Sequence, residues 1–261
     1  MSVSAVIIAG NEEQMLPGCL ATLGFADEIV VVVDRGSTDR TATIAQRAGA
    51  RVLRRKFDTF AKQKNFGIKN AQNDWVLVVD ADERITPELG TQIKRAVRED
   101  RYDGYQLTRI NVLFGKELRH GGWKESLLRL IRKKSAVYRG AVHEHFDVTG
   151  LRIGRLKGEF WHLSHRNLPD TLKKTIQYGD LWAAQMVSAK HPPVRSKALL
   201  AAPAKTLWRH LGKGRGYRDG IEGTVAAGFA AFGSFYAYAA LWNLQRRPSL
   251  DETYRKLDRK R

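Results

Sequence analysis

"WVLVVDADER", residues 75–84, is an apolar run that stops in two aspartates separated by a single alanine. A run that is greasy on both faces, rather than alternating, suits an interior strand of a parallel sheet covered by helices on each side. The preceding sequence repeats the theme, with β-branched runs taking turns with helical patterns: "VSAVIIA" (3–9), "EQMLPGCLATLGFA" (13–26), "EIVVVVD" (28–34), "DRTATIAQRAG" (39–49), "RVLRR" (51–55) and "FAKQKNFGIKNAQ" (60–72). Alternation of this kind predicts a doubly wound α/β sheet. Ligands of such sheets gather outside the carboxyl ends of the strands, where Asp34 closes one strand and Asp80 another.

Two carboxylates two residues apart raise each other's pKa unless a positive charge intervenes, so Asp80 and Asp82 invite a divalent cation. Oxygen ligands suit Mg2+ or Mn2+, which keep several waters and complete their coordination with substrate phosphates. A nucleotide diphosphate is the expected partner. The competing local reading is a helix entry, because "ERITPELG" (83–90) begins a helix near Pro87.

Length and composition set the outer bounds. The chain of 261 residues is long enough for a sizeable core, and 28 % charged with 43 % apolar residues argues against general disorder. Forty-five Lys and Arg against 27 Asp and Glu leave a net charge of +18, which favours polyanionic partners: nucleic acid, acidic lipid or phosphorylated substrates. The lone Cys19 excludes an intrachain disulfide and reads as a buried structural thiol. "MSVSAVIIAG" (1–10) lacks a basic segment and a long apolar one, and so reads as a first strand rather than a signal peptide.

Several of these stretches resemble the family 2 glycosyltransferases, of GT-A fold, and within them the lipopolysaccharide core-type branch. The likeness rests on "VSAVIIAGNEEQMLPGCLATL" (3–23), "DEIVVVVDRGSTDRT" (27–41), "FDTFAKQKNFGIKNAQNDWVLVVDADERITPEL" (57–89) and "SLLRLIRKKSAVYRGAVHEHF" (126–146). The resemblance implies a Rossmann-like, mostly parallel sheet and an inverting, metal-dependent transfer from a nucleotide-sugar, with a UDP-sugar the leading donor. It also implies roles for individual residues. Asp82 would hold Mn2+ or Mg2+ between the donor phosphates, and Asp80 would lie near the ribose and reach the metal through water. Asn11, Glu12, Gln63, Lys64 and Asn65 would line the nucleotide pocket, although Glu12 also serves as an acid at a helix N-terminus and Lys64 as a solvated helix residue. Many members carry two successive acids after the second strand, whereas this chain has Asp34 followed by Arg35. The base-reading carboxylate is then missing or replaced by Asp34 or Asp39, or the donor base is not uracil, and Arg35 would pair with a donor phosphate or with Asp39.

Inverting transfer needs a proton acceptor for the attacking hydroxyl. Glu144, in "GAVHEHFDV" (140–148), is the expected catalytic base, with His143 beside it as a metal or phosphate contact or as an orienting group. His162 and His165 are read first as structural histidines and second as metal ligands. Basic residues crowd residues 103–140, a mixed strand-and-loop region expected to build the acceptor side. Arg129 is expected to meet acceptor phosphate there, and Trp123 in "HGGWKES" to stack on a sugar face or to pack ordinarily.

From residue 166 onward the pattern becomes helical. The expected organisation is a catalytic GT-A domain over residues 1–165 and a helical, membrane-associating appendage over 166–261. Residues 223–244 carry no formal charge and are flanked by Arg and Lys, as suits an interfacial or shallowly inserted helix on an anionic leaflet, the competing reading being a buried helix of a soluble dimer. With this helix, the resemblance implies a location at the cytoplasmic face of a bacterial inner membrane, peripheral or monotopic, and an anionic glycolipid of the lipopolysaccharide inner core as acceptor. A polyprenyl phosphate is the alternative acceptor. A non-catalytic nucleic-acid binder is disfavoured, because no helix-turn-helix, zinc-finger or RNP signature is present and the aspartates would repel a phosphate backbone.

Overall fold

Val3–Ala9 forms strand β1, with all but one residue buried. Parallel to it lie β2 (Glu28–Asp34) on one side and β4 (Trp75–Asp80) on the other, and β3 (Arg51–Arg55) pairs parallel with β2. Helices α1 (Leu16–Ala21), α2 (Thr41–Arg47) and α3 (Phe60–Asn70) make the crossovers. The computed structural model describes residues 1–139, 145–165 and 167–259.

Both faces of this sheet are covered, which is why its strands do not alternate in sequence. Val3, Ala5 and Ile7 pack with residues of α1 and of α4 (Pro87–Glu99), while Val6 packs with Ala61 and Ile68 of α3. At Gly67 the approach of α3 to the sheet is so close that a Cβ would stand 2.5 Å from Val6 Cγ1. Helix α1 is shorter than the helical pattern of residues 13–26 suggests. Pro17 sits in its first turn, and at its end the Thr22 hydroxyl donates back to the Cys19 carbonyl at 2.8 Å. Cys19 is fully buried, as expected, and burial pushes its thiol well above its ordinary pKa.

Beyond β4 the sheet turns antiparallel. The strands are β5 (Glu83–Ile85), β6 (Gly104–Leu113), β7 (Lys116–Leu118), β8 (Lys124–Arg132) and β11 (Ile153–His165). The order is β3-β2-β1-β4-β8-β6-β11-β5, with β7 on β6. A separate ribbon pairs β9 (Tyr138–Arg139) with β10 (His145–Phe146). Helix α4 is started by the Thr86 side chain, which accepts from Leu89 N, and stopped by Asp100 in the left-handed conformation at φ 55°.

Two compact units result, one of Met1–Ile110 with Lys124–Leu163, the other of Asn111–Trp123 with Ser164–Arg261. In the second, α5 (Leu168–Ser188) and α6 (Ser196–Leu207) both pack against α7 (Gly220–Gln245), and α8 (Leu250–Asp258) follows. The Pro192–Pro193 pair separates α5 from α6. The stretch Gly216–Gln245 is long and apolar enough to cross a membrane, by length and composition. Ala226, Ala227, Ala237 and Leu241 of α7 are buried, whereas Phe232, Phe235 and Trp242 are exposed.

Candidate active site

Parallel register brings Ile8 opposite Asp80 and Ala9 opposite Val33, so Asn11, Asp34 and Asp80 all lie at the carboxyl edge of the sheet. Asn11 takes a positive φ of 56°, and its side-chain oxygen accepts from Thr38 N at 2.9 Å and Asp39 N at 3.3 Å. Asn11 thus braces the loop after β2. Glu12 N donates to Thr41 Oγ1 at 2.7 Å, joining the first loop to α2. The Asp34 carboxylate accepts from Phe57 N at 2.9 Å. Arg35 is exposed and has no ion pair among the described residues; Asp39 instead accepts from Thr41 and from Glu13 N.

Helix α3 turns Gln63 and Lys64 inward, leaving them 2 % and 4 % exposed. Gln63 accepts from Arg55 Nε at 2.9 Å, and Lys64 Nζ lies 3.2 Å from Asp80 Oδ1. Asn65 exchanges two hydrogen bonds with the backbone of Tyr138, at 2.9 and 2.8 Å, and so clamps β9.

Arg129 comes from β8 and is 6 % exposed. Its guanidinium donates to Asp80 Oδ2 at 2.9 Å and to Glu83 Oε1 at 2.6 Å, while Glu83 Oε2 accepts from Asp80 N at 2.9 Å. Burial alone would raise the Asp80 carboxyl, but Arg129 and Lys64 overcome it and hold Asp80 well below the usual carboxylate range. Burial pushes Glu83 up, with Arg129 opposing. Each oxygen of Asp80 is therefore matched by a cation of the protein. Like charges at the end of a greasy strand are tolerated here because the first is neutralised internally, leaving the second to turn outward.

That second carboxylate, Asp82, sits in the turn between β4 and β5. β5 pairs with β11, placing His162 opposite Glu83, and Leu163 N donates to Asp82 O at 2.9 Å. His162 Nε2 consequently stands 3.3 Å from Asp82 Oδ2, both side chains being partly exposed. No group of three or more His, Cys, Asp or Glu suited to a metal occurs among the described residues. The Asp82 carboxylate suits a Mn2+ or Mg2+ ion that takes its other ligands from water and phosphate, and the imidazole beside it favours Mn2+, the softer of the two.

Beside Asp80 a cleft of about 260 Å3 is lined by Lys64, Arg109, Arg129, Tyr138 and His145. The buried Nε atoms of Arg109 and Arg129 have no hydrogen-bond partner among the described residues. Unspent donors of this kind suit an anion. Glu144 and His143 lie outside the described residues.

Trp123 belongs to the second unit, where its indole stacks on the His210 ring with centroids 4.6 Å apart. The residues that sequence reasoning passed over are Glu83 and the pair His120 and Asp219. Asp219, 5 % exposed, accepts from His120 N at 2.8 Å and faces His120 Nδ1 at 2.8 Å. "DADE" displays Glu83, but no spacing rule says that it folds back beneath Asp80, and ninety-nine residues separate His120 from Asp219.

The family model described as "Glycosyl transferase family 2" matches residues 4–241. The chain is 29 % identical to the lipopolysaccharide core biosynthesis glycosyltransferase LpsC of Rhizobium meliloti (strain 1021), over 97 % of both chains. It is 28 % identical to the uncharacterized glycosyltransferase RP128 of Rickettsia prowazekii (strain Madrid E), over 93 % of this chain and 87 % of that one. Among solved structures, residues 1–349 of S. aureus TarS superpose with a TM-score of 0.47 at 14 % identity, covering 98 % of this chain and 92 % of that one. Glucosyl-3-phosphoglycerate synthase from Mycobacterium tuberculosis, in complex with Mn2+, UDP-glucose and phosphoglyceric acid, gives 0.48 at 16 % identity, covering 73 % and 80 %. With the family model matched across most of its length, the chain belongs to glycosyl transferase family 2 and is a glycosyltransferase.

Proposed function

We propose that this glycosyltransferase carries out an inverting, metal-dependent transfer from a UDP-sugar to a membrane-held glycolipid, of the lipopolysaccharide inner-core class. The observation that carries the metal part is the approach of His162 Nε2 to Asp82 Oδ2 at the edge of the sheet, 3.3 Å apart. Asp82 and His162 would hold the ion directly, with Asp80 reaching it through water while Lys64 and Arg129 fix the Asp80 carboxylate. A bound Mn2+ or Mg2+ supplies positive charge to the leaving diphosphate. Asn11, Glu12 and Gln63 shape the nucleotide pocket by bracing its loops.

In the transfer, an acceptor hydroxyl forms a bond to the anomeric carbon as the bond from that carbon to the diphosphate breaks. The hydroxyl proton passes to Glu144, and the nucleoside diphosphate departs. Lys64 and Arg129 are occupied by Asp80, so the support for a phosphorylated acceptor comes from Arg109, which lines the cleft with its Nε unpartnered among the described residues. Two observations support a membrane-held acceptor: the similarity to LpsC over nearly the whole chain, and the exposed Tyr178, Trp182, Phe235 and Trp242 on α5 and α7 of a protein carrying +18.

The test is calorimetric titration with UDP, ADP, GDP and CMP, each with Mn2+ and with EDTA, on the native protein and on Asp82→Asn. UDP binding that needs both the metal and Asp82 is the expected result. Binding of no nucleotide, or binding indifferent to metal and to Asp82, overturns the reading.

A further inference from the structure

The second unit contains a cavity of about 270 Å3 that the transfer chemistry does not use. Phe114, Trp123 and Phe229 supply apolar walls, Tyr178 and Trp182 stand at its mouth on α5, and Arg209 is the one strongly basic group in the lining. The threonines that also line it add little polarity. The hydroxyls of Thr171 and Thr175 donate back to carbonyls of their own helix, at 2.7 and 2.8 Å, and the methyl of Thr175 is turned toward Gly233. A cavity of this size and character gives water few partners, and engineered apolar cavities of roughly 150 Å3 already stay dry and take up apolar guests.

The mouth opens where apolar side chains are already in solvent, Tyr178 being 65 % and Trp182 50 % exposed. The electrostatics of the lining add a head-group preference. His210 is committed, its ring stacked on Trp123 and its Nδ1 2.6 Å from Gly121 O. Arg209 is exposed, makes one long hydrogen bond to Thr206 Oγ1 at 3.4 Å, and has no carboxylate partner among the described residues. Of the acids nearby, Asp219 faces His120, Glu222 faces Lys116, and Asp180 on α5 accepts from the Tyr236 hydroxyl at 3.1 Å. An unpaired cation therefore adjoins an apolar hole.

We propose that this cavity is a lipid-tail site, taking a single unbranched acyl chain of an anionic membrane lipid with the lipid phosphate against Arg209. The site rests on the membrane-held reading above, under which it would turn surface contact into capture of one chain. It requires neither nucleotide nor metal, so it stands or falls separately from the donor reading above.

Monoalkyl phosphates of increasing chain length, kept below their critical micelle concentrations, are the probe. Binding to the full chain is followed by calorimetry, with the fluorescence of Trp123 and Trp182 as a second signal, in EDTA and without nucleotide. Affinity is expected to rise about fourfold per methylene and then to level off once the cavity is filled. Arg209→Gln is expected to weaken the alkyl phosphate about tenfold while leaving an alkyl glucoside of equal chain length unchanged. Ala230→Phe, which fills the cavity from α7, is expected to abolish binding of both probes. Should Ala230→Phe fail to fold, the chain-length series and the exposed Arg209→Gln variant still decide. Absence of binding, a rise without levelling, or native affinity in a folded Ala230→Phe overturns the proposal; equal loss of phosphate and glucoside in Arg209→Gln overturns the head-group assignment.

Discussion

His162 Nε2 stands 3.3 Å from Asp82 Oδ2, although one residue follows the fourth strand of the sheet and the other lies near the end of the last. The pairing of β5 with β11 makes the contact, and it yields the first prediction. Asp82→Asn should lower turnover about 100-fold or more, and His162→Ala should raise the half-saturating Mn2+ concentration about 10- to 100-fold. The double variant should lose less than the product of the two, because the residues share one ligand. Mn2+ titrations of activity measure all three, and a His162→Ala enzyme with an unaltered Mn2+ requirement would remove the imidazole from the site.

Arg129 is the hub of the buried charges, and removing it leaves Asp80 and Glu83 without their shared cation. Arg129→Leu should cost about 3–5 kcal/mol, as for other buried pairs broken on one side. Urea unfolding at neutral pH gives the value; a loss below about 1 kcal/mol would mean that the guanidinium is not what holds the two acids.

The same network sets a pH dependence. Asp80 is held below the usual carboxylate range, so the folded state binds its proton more weakly than the unfolded chain does. Its contribution to stability is present above about pH 4 and is lost as the pH falls toward the folded value. The stability advantage of the native protein over Asp80→Asn should therefore shrink as the pH falls below about 4, which urea midpoints over a pH series would show. Glu83 is shifted upward, and its contribution runs the other way, present below about pH 4.3 and lost as the pH rises through its raised value. An advantage that grew on acidification would contradict the assignment to Asp80.

Asn65 binds the backbone of Tyr138 in both directions, just ahead of the segment that carries Glu144. Asn65→Ala should cost roughly 1–3 kcal/mol in stability. The fall in turnover should exceed any change in nucleotide affinity, since the clamp holds the backbone of β9 rather than the nucleotide. Comparing kcat with the UDP dissociation constant separates this from a direct nucleotide contact, which would move the dissociation constant first.

Glu144→Gln distinguishes the two acceptor chemistries. A hydroxyl acceptor loses its proton acceptor, and the rate should drop by about 10^2 to 10^4. A phosphate acceptor attacks as an anion and would leave turnover undiminished, which would redirect the assignment to a polyprenyl phosphate.

Much of the fold was legible in the chain itself. Runs such as "EIVVVVD" and "WVLVVD" are apolar on both faces because helices cover both, so the parallel core and the edge at which Asn11, Asp34 and Asp80 gather follow from local pattern. The family was legible too, because its acids and amides occur at fixed spacing within residues 3–89. What neighbours each acid was not. Asp80 and Asp82 are indistinguishable as a D-x-D pair, yet one faces Lys64 and Arg129 while the other faces His162. Those partners arrive from α3, β8 and β11, whose side-by-side placement depends on strand order and on antiparallel register. Likewise "HGGW" shows a tryptophan beside two glycines, and only tertiary packing covers one face of its ring with His210. Sequence determined the strands, the helices and the chemical types at the sheet edge, since these rest on local periodicity. Tertiary structure decided which charges cancel and which face outward, since electrostatic partnership depends on distance in space rather than on separation along the chain.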